Sequence, residues 1–156
     1  MIKVLFLDID GTLTDGQIYI GNNGEVFKSF HAHDAVGLRK LPLIDIKTII
    51  ITGRKSKIVE LRAKEMNITE VHQNVADKKE KVLDLLKKHK IKRNEAAYIG
   101  DDENDLEAMS LCKYRACPNN ATKKIKKIAN YISDYDGGHG AVRDYCEYIL
   151  TSELNK

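Results

Sequence analysis

Three short apolar runs in this chain stop in the same manner. Residues 3–7 (Lys-Val-Leu-Phe-Leu) give way to Asp8-Ile9-Asp10-Gly11-Thr12. Residues 47–51 (Lys-Thr-Ile-Ile-Ile) give way to Thr52-Gly53-Arg54, and residues 96–99 (Ala-Ala-Tyr-Ile) to Gly100-Asp101-Asp102. A short run with no polar alternation suits a strand buried on both faces, and such strands belong to parallel sheets covered by helices. Residues 70–72, 114–116 and 130–132 read as weaker strands. Helical patterns lie between: 55–66, with Ile58, Leu61 and Ala63 apolar; 78–90, with Val82, Leu85 and Leu86 on one face and lysines on the other; then 103–109, 122–128 and 141–150. Strands alternating with helices predict βαβ units and a parallel α/β sheet. One piece breaks the alternation. Residues 17–20 and 25–30 alternate apolar and polar around Gly21-Asn22-Asn23-Gly24, which predicts a β-hairpin inserted after the first strand.

Length and composition bound the rest. A chain of 156 residues predicts one domain, 1–156, and 42% hydrophobic residues exclude a disordered chain. No apolar stretch approaches the roughly 20 residues of a membrane-spanning helix. The apolar start is cut short by Asp8 and Asp10 and has no small-residue cleavage site, so a structural N-terminus and a cytoplasmic protein are expected. Cys112, Cys117 and Cys146 are odd in number and lack metal-site spacing, as reduced thiols do. A net charge of +3 selects no partner. The basic patches at 87–93 and 123–127 have little aromatic interleaving and read as solvated helix faces, so neither a nucleic acid nor a membrane is an expected partner.

Ligands of open parallel sheets bind outside the carboxyl ends of the strands. Three such ends carry the chemistry here, and clustered acids need a counter-charge. A hard divalent cation supplies it, since Mg²⁺ takes a few carboxylates and fills its remaining positions with water and phosphate oxygens. Asp8 and Asp101 are the expected carboxylate ligands, with Asp102 and Asp105 around them. Asp10 stands two residues from Asp8.

These motifs, taken in order, resemble the haloacid dehalogenase superfamily. Asp8–Thr12 matches its DxDGT motif, Thr52 its hydroxyl after a later strand, Lys78 its lysine at a helix start, and Gly100–Asp105 its acidic GDDxND motif. The resemblance covers nearly the whole chain and implies phosphoryl transfer. Asp8 would attack phosphorus and form an aspartyl-phosphate. Asp10 would protonate the leaving alkoxide and then activate water. Thr52 and the Gly53 N–H would bind phosphate oxygens. Lys78 and Mg²⁺ would offset the negative charge, with the Asp10 carbonyl a further metal ligand. A receiver-like signalling domain uses a similar residue set in a different order, with its acidic pair after the first strand. A non-catalytic partner of a nucleotide-sugar enzyme could share the fold, and so could a polynucleotide-end phosphatase. The intact catalytic set speaks against a dead enzyme.

A narrower resemblance follows. Asp8–Gly16, the hairpin, Asp34–Leu38, Thr52–Ser56 and the tail Gly137–Asp144 are similar to the 3-deoxy-manno-octulosonate 8-phosphate phosphatase group. Related enzymes act on nine-carbon nonulosonate 9-phosphates and can carry Glu at the position of Arg54 and Lys at that of Glu65. Arg54 therefore leans toward the eight-carbon acid, while His31-Ala32-His33 departs from the group's usual segment. The intervals Asp10–Thr52 and Thr52–Asp101 leave no room for a cap of roughly 60–100 residues. The expected architecture is thus a Rossmann-like parallel sheet flanked by helices, with a hairpin and no cap. The resemblance implies a homotetramer in which hairpins carrying Ile18, Ile20, Val26 and Phe27 pack together. It also implies a tail that moves on Gly137-Gly138 and brings Arg143 to a carboxylate of a small sugar-acid phosphate.

Overall fold

The structure, a computed structural model, describes residues 1–155. Strand β1 (Val4–Leu7) is followed by an antiparallel hairpin, β2 (Tyr19–Gly21) and β3 (Gly24–Phe27), and by helix α1 (Ala32–Lys40). A 3-10 turn (Leu41–Ile44) leads to β4 (Lys47–Ile51). Helices and strands then alternate: α2 (Lys57–Glu65), β5 (Glu70–His72), α3 (Lys78–His89), β6 (Ala96–Ile99), α4 (Glu103–Ser110), β7 (Tyr114–Cys117), α5 (Lys123–Ile128), β8 (Tyr131–Ile132) and α6 (Ala141–Leu154). Six strands form one parallel sheet in the order β5-β4-β1-β6-β7-β8, as the alternation requires.

The apolar runs are continuous because each central strand feeds two cores. Leu5 and Leu7 of β1 point into a core with Leu38 of α1, Val59 of α2 and Tyr145 of α6. Val4 and Phe6 point into a second core with Val82 of α3, Met109 of α4 and Ile125 of α5. Ile50 of β4 joins the first core, and Ile49 and Ile51 the second. No cap domain interrupts the described residues, and no helix among them is long and apolar enough to cross a membrane.

Two sequence expectations need correction, and one helix was not expected. The buried stripe of α2 is Val59 and Ala63 with Met66 beyond, while Leu61 is 56% exposed. Two apolar residues two positions apart cannot share a helix face, so Leu61 gives way to the i, i+4 pair. Helix α6 runs to Leu154, beyond the expected end at 150. Helix α1 went unread, because His33, Asp34 and Gly37 interrupt its apolar positions and weaken helix propensity. Tertiary packing supplies what propensity lacks. A Cβ at Gly37 would lie 3.0 Å from Arg143 Cδ and from Cys146 Cβ, so the glycine lets α1 and α6 approach closely. The buried Asp34 carboxylate accepts the Arg143 backbone N–H (2.8 Å), capping α6 from a neighbouring helix where its own N-cap, Gly140, has no side chain.

The hairpin stands off the sheet. Tyr19 and Phe27 stack at 4.2 Å between centroids, while Ile20 (69%), Val26 (59%) and Phe27 (50%) remain exposed.

Candidate active site

Register brings the three motif-bearing ends together. Leu7 lies level with Ile50 of β4 and Ile99 of β6, so the chain beyond each strand emerges at one edge of the sheet. The Asp8 N–H continues the ladder to the Ile99 carbonyl (3.2 Å). Asp8 is buried, and Lys78 Nζ lies 2.7 Å from its Oδ1 and 2.8 Å from Asp105 Oδ1. Lys78 is the first residue of α3, fixed there by Asp77, whose side chain accepts the Glu80 N–H (3.0 Å).

Asp105 is the anchor. Its Oδ1 also receives the Tyr98 hydroxyl (2.7 Å), and its Oδ2 accepts the backbone N–H groups of Asp101 (3.1 Å) and Asp102 (3.4 Å). A Cβ at Gly100 would fall 2.6 Å from this carboxylate, which explains the glycine at the end of β6. Asp101 accepts the Thr12 hydroxyl (3.2 Å). Gly11 has φ +93°, and a Cβ there would lie 2.0 Å from Asp101 Oδ2, so only glycine fits between the two loops.

Asp8, Asp101 and Asp105 each offer an oxygen within 4.8 Å of the others. Burial, and then the Asp105 charge, push the Asp8 carboxyl well above its usual range, against the pull of Lys78. Burial and Asp105 also raise Asp101, to about 6. Burial pulls Lys78 down, but Asp8 and Asp105 outweigh it and keep the ammonium charged. One ammonium thus faces three acids. An all-oxygen donor set short of positive charge fits a hard divalent cation such as Mg²⁺. Asp105 has its acceptor positions filled by four donors, so Asp8 and Asp101 are the better placed to ligate.

The remaining expected residues are placed as follows. Thr52 is buried in a bend fixed by its N–H to His72 O (3.0 Å) and by the Val75 N–H to its carbonyl (3.1 Å), with Gly53 and Arg54 exposed beyond it. Asp102 is exposed and caps α4, accepting the Glu103 N–H (2.7 Å), so its side chain belongs to the helix start rather than to the carboxylate group. Asp10 Oδ1 receives Lys28 Nζ at 2.6 Å. Lys28 also pairs with Glu25 (2.8 Å), which accepts the Ser56 hydroxyl. Burial raises Glu25, yet the Lys28 and Ser56 contacts prevail and hold it below its usual value.

Arg143 stands apart from the acids. Its Nε pairs with Glu147 (2.8 Å), and it lines an open hollow of about 470 Å³ with His31, His33 and His139. Gly137 and Gly138 do not serve as a free hinge in this state. The Gly138 N–H donates to Thr12 O (3.2 Å), and a Cβ at Gly137 would meet Gly11 O at 1.9 Å. The glycines permit close packing of the tail on the loop after β1. Sequence reasoning missed Lys28, Glu25 and Tyr98, and it gave Asp34 no role. Each is an isolated polar residue whose partner lies on another element, and no spacing signals that.

The chain belongs to the haloacid dehalogenase-like hydrolases: the profile of that description matches residues 50–143. It is 40% identical to the 3-deoxy-D-manno-octulosonate 8-phosphate phosphatase of Escherichia coli K12, over 97% of this chain and 81% of that protein. The Yersinia pestis enzyme of the same name is 38% identical over the same shares. Among solved structures, the Moraxella catarrhalis phosphatase, in complex with magnesium, phosphate and 3-deoxy-manno-octulosonate, superposes with a TM-score of 0.95. It is 39% identical, over 99% of this chain and 88% of that one. The cobalt-bound Haemophilus influenzae phosphatase gives 0.94 at 33% identity, over 98% and 90%. Within the superfamily, the chain's place is with the 3-deoxy-D-manno-octulosonate 8-phosphate phosphatases.

Proposed function

We propose that this chain is a Mg²⁺-dependent phosphatase that hydrolyses 3-deoxy-D-manno-octulosonate 8-phosphate through an aspartyl-phosphate. The observation that carries the reading is the buried Asp8 carboxylate, clamped by Lys78 with Asp101 alongside, in a chain so similar to named phosphatases of that substrate. Asp8 and Asp101 would hold Mg²⁺ together with the Asp10 carbonyl, and the bound ion supplies positive charge against the phosphate. Asp8 attacks phosphorus as the bond to the sugar oxygen breaks, and Asp10 gives that oxygen its proton. Water then attacks the aspartyl-phosphate, loses a proton to Asp10, and frees Asp8 with release of inorganic phosphate. Thr52, the Gly53 N–H and Lys78 bind the phosphate oxygens. Arg54, exposed just beyond Thr52, would favour the eight-carbon acid, and Arg143 would take the sugar carboxylate after leaving Glu147.

The exposed Ile20, Val26 and Phe27 support a homotetramer in which hairpins cover one another and screen uncapped sites. Three buried free cysteines suit a reducing cytoplasm, where such a sugar acid would be made for envelope glycans. The test is phosphate release with Mg²⁺ from the eight-carbon ester, nine-carbon analogues and neutral sugar phosphates. Preference for the eight-carbon acid, lost in Asp8→Asn, is the expected result. Preference for a nine-carbon acid would move the substrate and keep the chemistry. Full turnover by Asp8→Asn would remove the mechanism.

A further inference from the structure

The side chain that holds Asp10 comes from the hairpin. Lys28, one residue past β3, sets Nζ 2.6 Å from Asp10 Oδ1 and 2.8 Å from Glu25 Oε1. Its side chain is 2% exposed, against 21% for Asp10 and 18% for Glu25. A lysine that has left water this completely depends on its two carboxylates, unlike a surface ammonium. The chain of contacts continues. Glu25 accepts the Ser56 hydroxyl through its other oxygen, and the Ser56 N–H donates to Gln73 Oε1 (2.7 Å). Ser56 stands at the N-cap of α2, four residues past Thr52. One polar network thus runs from the loop after β1, through the hairpin, to the loop after β4.

We propose that Lys28 is a positioning residue for Asp10, which makes the hairpin part of the catalytic apparatus as well as a surface for other subunits. The proposal rests on the phosphatase reading above. A carboxylate on a loop has two rotatable bonds, and proton transfer requires it within hydrogen-bond reach of the ester oxygen. Lys28 takes Oδ1 through a short charge-assisted bond and leaves Oδ2 to carry the proton. Glu25 and Ser56 in turn fix the lysine. In the first half-reaction, Asp8 bonds to phosphorus, the bond from phosphorus to the leaving oxygen breaks, and the Asp10 proton goes to that oxygen. In the second, water bonds to phosphorus, its proton returns to Asp10, and the bond to Asp8 breaks. A misdirected Asp10 therefore slows departure of an alkoxide, and it slows hydrolysis of the aspartyl-phosphate from any ester.

That asymmetry gives the test. The full chain with Mg²⁺ is assayed on the sugar-acid phosphate and on p-nitrophenyl phosphate, whose phenolate leaves without a proton. Lys28→Met should lower kcat/KM for the sugar ester about 100-fold, the lower range of general acid–base effects, and for the aryl ester by less than about threefold. A pre-steady-state burst of p-nitrophenolate should appear as aspartyl-phosphate hydrolysis falls behind. Lys28→Arg keeps the charge and moves the contact, so it should shift the ratio between esters about tenfold. It carries the test if thermal melting shows that Lys28→Met does not fold. A folded variant with equal losses on both esters and no burst would reduce Lys28 to a structural contact and overturn the proposal. Wild type comes first: activity on the aryl ester and another alkyl phosphate, but not on the sugar acid, would correct the substrate and leave Lys28 testable on that alkyl ester. Inactivity on every ester would overturn both readings.

Discussion

Replacing Gly137 with Ala tests whether the tail positions the catalytic loop. Gly137 has no left-handed φ, so alanine brings no backbone strain and would by itself restrict the unfolded chain, a gain of about 0.4–1 kcal/mol. Space decides otherwise. The new Cβ would lie 1.9 Å from Gly11 O, 2.7 Å from Gly11 C and 3.0 Å from Thr14 O, all backbone atoms that cannot rotate away. The tail and loop must separate by more than an ångström. Overpacking of this kind costs about 1–3 kcal/mol, and loss of the Gly138–Thr12 bond about 1 more. The net loss is about 2–3 kcal/mol, or about 5–10 °C in Tm for a chain of this size. Gly11 lies between Asp10 and Thr12, so the same displacement shifts the acid/base residue. A shift near 1 Å lowers kcat by about 100-fold. Phosphate release at saturating substrate and Mg²⁺, beside a thermal melt, reads both quantities. A variant with kcat within about threefold of wild type, whatever its Tm, would show that the tail does not position this loop.

Two further outcomes follow from the structure. Burial raises the Asp34 carboxyl to about 6 from an ordinary 3.8, although the Arg143 N–H and the Arg62 charge oppose it. The folded chain therefore holds this proton more tightly than the unfolded one, and the stabilising contribution is full below 3.8 and lost as pH rises through about 6. Asp34→Asn should gain on wild type by about 2–3 kcal/mol across that window, and a pH-independent difference in Tm between the two would refute the assignment. Ile20→Asp with Val26→Asp should convert a tetramer to monomers in sedimentation and cut turnover; a wild type that sediments as a monomer would end that reading.

The legible parts of the sequence were those set by one dominant force. Continuous burial made β1, β4 and β6 readable from their apolar runs, and their polar ends pointed to Asp8, Thr52 and Asp101, which register then brought to one edge. Motif order located Lys78, and the structure puts it on Asp8. The unreadable parts were set by partners distant in sequence. Helix α1 is held by Gly37 against α6 and by Asp34 on the Arg143 N–H, neither visible as periodicity. Lys28 looks like an ordinary lysine in an alternating strand until Asp10 folds beside it. Gly137 and Gly138 carry a close contact with the loop after β1 that composition does not separate from the mobility expected of them.

The contact between Gly11 and Gly137 also has a temporal side. Synthesis delivers the chain from its N-terminus, and domains fold as their last segments emerge. Asp8, Asp10, Thr52, Lys78 and Asp101 are all made well before Gly137. A nascent or prematurely released polypeptide that ends short of this glycine carries every acid and hydroxyl of the centre. It lacks the backbone that braces the loop between them. Where the tail braces this loop, the onset of turnover waits on a segment made after every catalytic side chain.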